Sequence, residues 1–342
     1  MTQFTKSSDI FQFINQPQHK IQIVVDAIQR LSDFFVTKPD DLTPWDYEYC
    51  QIAYRYYYLP LNFIRNYEVI MRGLQVDFFR DITTTIDWGS GPGTASLALS
   101  KALPFKLQKQ LLIDQSKTVH RHFQDIHNEL SNPEIKPDLS LSHLNIDYAK
   151  SILVLSYSLT EMTELPSGYE QFNSLMILEP STQDDGRKLQ QLREKLIADG
   201  YYIWAPCVHQ QKCPLLHESK TDWCHDRFHV KAPAWFLDFE KHLPFRNRTI
   251  TTSYLLAKRT QHVQFKKNEA RTVGDSVEEK GKTRQLVCRS SQREFLAWMH
   301  KNKNVQIIPR GELIELPEDI EIKSNELRIN SEIILTKSGQ LK

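Results

Sequence analysis

The stretch that most constrains this chain is "IDWGSGPGTASLAL", residues 86–99. A short apolar run ends in Asp87, three glycines follow at alternate positions (Gly89, Gly91, Gly93), and a helix-forming segment opens at Thr94. Glycines let a backbone turn sharply and approach a ligand closely, and a helix start offers free N–H groups. Such a turn belongs between a strand and a helix of a layered α/β sheet. The surroundings agree. Between about 84 and 205, "TTIDWG", "QLLIDQ", "SILVLSYS", "SLMILEP" and "YYIWAP" read as short strands buried on both faces. The amphipathic stretches "TASLALSKAL" and "RKLQQLREKLIADG" lie between them. Strands alternating with helices predict a mostly parallel sheet with right-handed crossovers.

The flanks differ in character. "HKIQIVVDAIQRLSDFF" has helical spacing, "TPWDYEYCQIAYRYYY" opens with Thr43-Pro44 as a helix start, and "LNFIRNYEVIMRGLQ" resumes a helix after an interruption at Pro60. After about residue 231, "NRTITTSYLLAKR", "TRQLVCRS", "NVQIIPRGELIEL" and "ELRINSEIILTK" are short β-prone runs. "KKNEARTVGDSVEEKGK" carries charge without periodicity and is expected to be a mobile loop. The expected organisation is an N-terminal helical region over 1–80, a Rossmann-like domain over 81–230 that runs into a cysteine-rich segment, and a small β-rich domain over 231–342.

Composition excludes some classes of function. Lys plus Arg (43) nearly cancels Asp plus Glu (42), so nucleic-acid contact has to come from local patches. The N-terminus "MTQFTKSSDIFQFINQPQHK" has neither the apolar core of a secretory signal nor the arginines of a transit peptide. No apolar run nears the roughly 18–20 residues that span a bilayer. The expectation is a cytoplasmic protein of a reducing compartment, not bound to membrane and monomeric when free. A mitochondrial-matrix placement is the lesser alternative.

The order acid-x-Gly-x-Gly-x-Gly resembles the S-adenosylmethionine loop of class I methyltransferases, whereas the dinucleotide fingerprint is Gly-x-Gly-x-x-Gly. The resemblance makes Asp87, Gly89, Ser90, Gly91 and Gly93 candidate cofactor-binding residues. Asp114 ends the next strand, where an acid can accept hydrogen bonds from ribose hydroxyls. Asp147 in "NIDYA" is expected near the adenine, with a solvated loop acid as the alternative. "VLSYSLTEM" puts Ser156-Tyr157-Ser158 at the end of the fourth strand, with Tyr157 a further candidate. Enzymes that methylate base amino groups often carry Asn/Asp-Pro-Pro-aromatic there. Its replacement, and the lack of a cysteine, leave the catalytic residues unassigned.

Three of the five cysteines fall in "APCVHQQKCPLLHESKTDWCHDRFHV", as Cys207-x5-Cys213-x10-Cys224, and Cys288 comes later in "QLVCRS". Four thiolates can hold zinc or an iron–sulfur cluster. The spacing lacks the C-x2-C pairs of zinc ribbons, which an iron–sulfur cluster tolerates more readily. Buried small hydrophobes are the plain alternative. One of His209, His217, His225 or His229 could enter a Cys3His zinc site, and Cys50 reads as core.

Taken in order, "YYYLPLNFIRNYEVI", the glycine turn, "VLSYSLTEM", "LMILEPSTQDDGRKLQQLREKL", "APCVHQQKCPL", "DWCHDRFHV" and "SYLLAKR" resemble the methyltransferase-like assembly factors of the mitochondrial small ribosomal subunit and their bacterial homologues. The match covers roughly residues 50–260, and "LVCRS" and "IPRGELIEL" extend it weakly. The resemblance implies a class I S-adenosylmethionine-dependent methyltransferase fold that keeps the cofactor pocket. It also implies a [4Fe-4S] cluster on Cys207, Cys213, Cys224 and Cys288, and a role in small-subunit assembly on ribosomal RNA. In that family methylating activity is in doubt. The alternative is an active RNA methyltransferase with a structural zinc or iron–sulfur site. Ser181 in "LEPST" and Asp226 in "DWCHD" depart from the family's glycine and aromatic, and neither removes a thiol. For RNA, phosphate attraction and base stacking point to Arg55 and Arg65 among tyrosines, and to Arg246, Arg248, Lys258, Arg259, Lys266 and Lys267.

Overall fold

The computed structural model describes residues 5–14, 16–38, 41–119, 122, 136–137, 146–162, 164–245, 249–261, 268–302 and 305–335. The chain clusters into two compact units. One comprises Met1–Leu74, Phe79–Glu179 and Phe228–Ile250; the other comprises Gln75–Phe78, Pro180–Arg227 and Thr251–Lys342. The cysteine-rich segment therefore groups with the C-terminal sheet.

The first unit opens with α1 (Ile21–Thr37), which buries Val24, Val25, Ile28 and Leu31, the stripe its apolar spacing predicts. The helix start expected at Thr43-Pro44 falls later, because α2 spans Glu48–Ala53. The interruption expected at Pro60 does not occur. A π-helical turn, Tyr54–Tyr58, joins α2 to α3 (Leu59–Gln75), and Pro60 sits in the first turn of α3. A proline lacks the N–H for the usual i→i−4 bond, and the wider π turn ahead of it accommodates that loss. Tyr57 stacks on Phe236 of the helix Ala234–His242, with ring centroids 5.1 Å apart.

The sheet of this unit contains β1 (Thr84–Trp88), β2 (Lys109–Ile113), β3 (Lys136–Pro137), β4 (Ser151–Ser156) and β5 (Ser174–Glu179). All are parallel, in the order β3-β2-β1-β4-β5. Every residue of β5 is buried, as a strand covered on both faces requires. The helix α4 (Thr94–Ala102) leaves β1 through the glycine turn. Strand order reverses between β1 and β4, and in open α/β sheets ligands bind at the carboxyl ends of strands at such a point.

The second unit holds α5 (Gln183–Ala198), β6 (Tyr202–Ala205), the start of β7 (Asp226–His229) and most of β8 (Thr249–Lys258). Strands β6 and β8 run antiparallel, pairing Tyr202 with Lys258 and Ile203 with Ala257. A separate sheet, seven-stranded among the described residues, follows. Its strands are β9 (Glu269–Glu279), β10 (Lys282–Cys288), β11 (Glu294–Met299), β12 (Leu313–Glu315), β13 (Glu321–Lys323), β14 (Glu326–Arg328) and β15 (Ile334–Leu335). Trp298, Val287, Leu296, Ile314 and Leu327 form its core.

The loop expected over 266–282 is instead largely strand. β9 and β10 form an antiparallel hairpin that turns at Gly281, where φ is +82°. Residues 270–274 of β9 are buried and residues 275–278 are exposed. One strand thus carries two environments in succession, and no single alternation shows in its sequence.

Candidate cofactor pocket and four-cysteine site

The glycine turn comes after β1 in left-handed backbone, with φ of +67° at Gly89, +50° at Gly91 and +76° at Gly93. Gly89 leaves no room for a side chain, and Gly91 leaves little. A Cβ on Gly89 would stand 2.6 Å from Ser158 Cβ, and one on Gly91 would stand 3.3 Å from the Trp45 ring. The Gly89 and Ser90 N–H groups both donate to the Ile113 carbonyl, at 2.8 and 3.1 Å, which pins the turn to the end of β2.

Three carboxylates surround this turn. Asp87 is 1 % exposed and accepts from the Ser96 N–H at 3.2 Å and the Ser96 hydroxyl at 2.8 Å. It ties β1 to the first turn of α4. Burial pushes its pKa up to about 7 against the lowering by Ser96, and the Asp114 charge adds to the rise. Asp114 accepts from the Gly91 N–H at 2.8 Å through one oxygen and from the Ser116 N–H at 2.8 Å through the other. Each oxygen keeps a second lone pair for a hydroxyl. Glu161, in the loop after β4, accepts from the Thr43 hydroxyl at 2.6 Å; burial raises its pKa, and the Asp114 charge raises it further.

Tyr157 also comes to this end of the sheet. It has φ +62°, donates its N–H to the Leu178 carbonyl at 2.8 Å, and lies with its ring 5.8 Å from the Arg65 guanidinium. Asp147 does not come here. It precedes β4, at the opposite end of the strand from Tyr157, where it caps the Ala149 N–H at 3.2 Å. A strand of six residues separates the two ends, so the acid expected at the adenine caps a turn instead.

Several residues of this site have no local signal in the sequence. Trp45 packs on Tyr54 with centroids 4.9 Å apart, and the Tyr54 hydroxyl lies 3.0 Å from the Thr94 hydroxyl at the start of α4. Burial pushes the Tyr54 pKa up to about 12. Asn66, fully buried on α3, donates to the Ser156 hydroxyl at 2.9 Å at the end of β4. These contacts join the N-terminal helices to the β1 and β4 ends, a long-range pairing that no motif announces.

In the second unit, Cys207, Cys213, Cys224 and Cys288 all line one cavity, together with Gln190, Arg193, Leu215, Tyr254 and Arg271. Burial raises the pKa of Cys213, of Cys224 (to about 11) and, furthest, of Cys288. Neighbouring thiols add to each rise: Cys207 for all three, Cys213 for Cys224 and Cys288, and Cys224 for Cys288. The peptide between the cysteines is held by side chains from α5. Arg187 donates to the carbonyls of Leu215, Leu216, Ser219 and Asp222 at 2.9–3.2 Å. Glu194 accepts the Cys213 N–H at 2.8 Å. Among the described residues, no group of three or more His, Cys, Asp or Glu is gathered closely enough to hold a single metal ion.

The four histidines separate by environment. His209 is buried with Nε2 3.3 Å from Cys288 Sγ, and burial, with Arg193 beside it, lowers its pKa to about 4. His225 is buried against Trp223 with centroids 5.4 Å apart, and burial lowers its pKa to about 3. His217 is exposed near Glu194, and His229 is exposed. Cys50 is buried in α2, as expected. Asp226, a departure from the family pattern, is buried as the ion-pair partner of Arg271.

Of the basic residues considered for RNA, Lys258 is 3 % exposed and sits over the Phe78 and Trp204 rings, away from solvent. Arg259 stacks on Tyr201 at 4.3 Å. Arg55 lies 5.7 Å from the Tyr56 ring, and Arg65 is bonded to Asn62 at 2.8 Å. Arg246, Arg248, Lys266 and Lys267 lie outside the described residues. Among the described residues, no helix is long and apolar enough to cross a membrane.

A parallel sheet ordered β3-β2-β1-β4-β5, a glycine turn after β1 and a later antiparallel β6/β8 pair define a class I methyltransferase fold with a β-rich C-terminal region. The family model described as mitochondrial small ribosomal subunit Rsm22 matches residues 51–304. The chain belongs to that family. A search of curated proteins finds no match. Among solved structures, the chain is similar to precorrin-6y C5,15-methyltransferase from Geobacter metallireducens, at 12% identity over 55% of this chain and 86% of that one, with a TM-score of 0.31. It is similar to the YcgJ protein of Bacillus subtilis at 12% identity over 56% and 99%, with a TM-score of 0.32. A third is the ribosomal protein L11 methylase of Lactobacillus delbrueckii subsp. bulgaricus, at 13% identity over 56% and 79%, with a TM-score of 0.31.

Proposed function

We propose that this chain is a small-ribosomal-subunit assembly protein that binds S-adenosylmethionine at the glycine turn, a [4Fe-4S] cluster on Cys207, Cys213, Cys224 and Cys288, and ribosomal RNA. The observation that carries the reading is the meeting of those four thiols on one cavity, in a chain of this family. The donor set fits a thiolate-held group. Soft sulfur ligands select iron–sulfur clusters and zinc. Four cysteines on a shared cavity supply the donor number that such a cluster takes. Thiol ligands bind such a group as thiolates, so its binding would release their protons. Held by Cys207 after β6 and Cys288 at the end of β10, such a cluster would tie these two segments together.

The pocket in the first unit supports S-adenosylmethionine on charge. Asp114 and Glu161 bring negative charge to the turn, which suits a sulfonium and ammonium ligand. An acid at the end of the second strand suits ribose hydroxyls, and Asp114 accepting the Gly91 N–H supports that reading. Association with the small ribosomal subunit is drawn from the family's name.

The test is anaerobic purification with iron, sulfide and zinc analysis, then titration with S-adenosylmethionine. About four iron and four sulfide per chain are expected, with saturable cofactor binding. A colourless protein with stoichiometric zinc overturns the cluster. Methyl transfer from labelled cofactor to small-subunit RNA would make the protein an enzyme; binding without transfer fits the assembly role.

A further inference from the structure

Gln190 and Arg193 of α5 line the four-cysteine cavity, and Glu194 stands beside Arg193. Gln190 points its amide at Cys213 Sγ, 3.6 Å away, and Glu194 holds the Cys213 N–H. Between them Arg193, 2 % exposed, donates Nε to Cys207 Sγ at 3.1 Å, Nη1 to Glu194 at 2.9 Å and Nη2 to the His209 carbonyl at 2.9 Å. A guanidinium stays protonated in proteins, so this is a permanent positive charge in the interior. Buried charges persist when paired. The carboxylate beside it, Glu194, is 30 % exposed and shares its oxygen with Cys213, so it is a partial counter-ion. The remaining negative charge available to Arg193 is that of the cysteine sulfurs.

The thiols need the same partner. All four line one cavity with Arg193, whose Nε is 3.1 Å from Cys207 Sγ. Arg271 and Arg310 act on Cys224, but Arg271 is the ion-pair partner of Asp226, and Arg310 is bonded to the Trp223 and His225 carbonyls at 2.9 and 3.2 Å. Arg193 is in direct contact with a ligand sulfur, Cys207 Sγ.

We propose that Arg193 is the resident counter-charge of the four-cysteine site and sets the electron affinity of the group held there. The inference rests on the [4Fe-4S] reading. Four thiolates and a [4Fe-4S]2+ core carry a net charge of −2, and one-electron reduction, here by dithionite, takes it to −3. A buried positive charge at hydrogen-bond distance favours the more negative state, so Arg193 raises the reduction potential. Replacing it with a neutral side chain lowers the potential.

The experiment compares the full-length wild type, R193M and R193K, purified anaerobically, by iron and sulfide content and by a dithionite titration monitored by electron paramagnetic resonance. R193M is expected to shift the reduction equilibrium at least tenfold toward the oxidised form, about 59 mV for one electron, while R193K stays within about threefold of wild type. R193M that loses iron while R193K keeps it also supports the assignment. R193M that is loaded and unshifted overturns it. So does R193K shifted as far as R193M, because the guanidinium's shape would then matter and not its charge. A wild-type protein without iron and sulfide overturns the reading of the site itself, and this inference with it.

Discussion

Ser158 presses on the backbone of Gly89 so closely that a single added methyl on the glycine would stand 2.6 Å from Ser158 Cβ. The end of β4 thus fixes the shape of the turn after β1. Gly89 also has φ +67°, where a side chain costs about 1–3 kcal/mol. G89A is expected to lower stability by at least that amount and to abolish S-adenosylmethionine binding, because the turn has to shift away from Ser158. Thermal unfolding and calorimetric titration check the two effects. A G89A protein that binds the cofactor normally would show that the turn does not form the pocket.

Asp87 gives the fold a pH dependence of unusual sign. Its pKa is about 7 in the folded chain, pushed up by burial, against about 3.9 when unfolded. The folded state therefore holds its proton longer, and this group's contribution to stability falls as pH rises from about 4 to about 7, then levels off. The slope is at most about 1.4 kcal/mol per pH unit. D87N keeps an acceptor for Ser96 and removes the titration. Denaturant unfolding from pH 4.5 to 8 should show a stability difference, D87N minus wild type, that grows with pH. A constant difference rules out the raised pKa.

The parallel sheet and its glycine turn were legible in the sequence because both are local. A two-face-buried strand is an apolar run, and a left-handed turn demands glycine at Gly89, Gly91 and Gly93. That Cys288 belongs with Cys207, Cys213 and Cys224 came from the family resemblance and not from spacing; the four do line one cavity. Long-range partnerships were not legible. Nothing near Trp45 or Asn66 says that these residues meet the ends of β1 and β4. Asp147 was misplaced because an acid a few residues before a strand looks the same whichever end of the sheet it occupies. β9 was hidden by its change of environment halfway along. Lys258 carries the signature of a solvent-facing cation, yet packs over Phe78 and Trp204.

The cysteines make a prediction that separates ligands from core. C224S and C288S each remove one sulfur from the shared cavity and are expected to lose most bound iron and the visible absorbance. C50A removes a buried thiol from α2 and should leave the iron content unchanged, at a stability cost within the few kcal/mol typical of core truncation. Iron-to-protein ratios after anaerobic purification decide this. Full iron retention in C288S would remove the fourth ligand from the assignment.

Arg187 supplies the last prediction, because it reads the loop between Cys213 and Cys224 by its carbonyls. Its guanidinium bonds four of them, at Leu215, Leu216, Ser219 and Asp222. A hydrogen bond from a charged donor contributes about 1.5–3 kcal/mol net, and three of these four share Nη1, so their worth is less than four times that. R187M leaves those carbonyls unpartnered and the loop without its anchor on α5, while touching no sulfur. The expected result is faster proteolysis between Cys213 and Cys224 and faster loss of iron to a chelator, with the reduction potential unchanged while iron remains bound. R187K, with one compact ammonium in place of the planar fork, should recover only part of the protection. Peptide mapping of limited digests checks the loop, and chelation kinetics check the site. If R187M releases iron at the wild-type rate, the loop does not depend on this arginine to present Cys213 and Cys224.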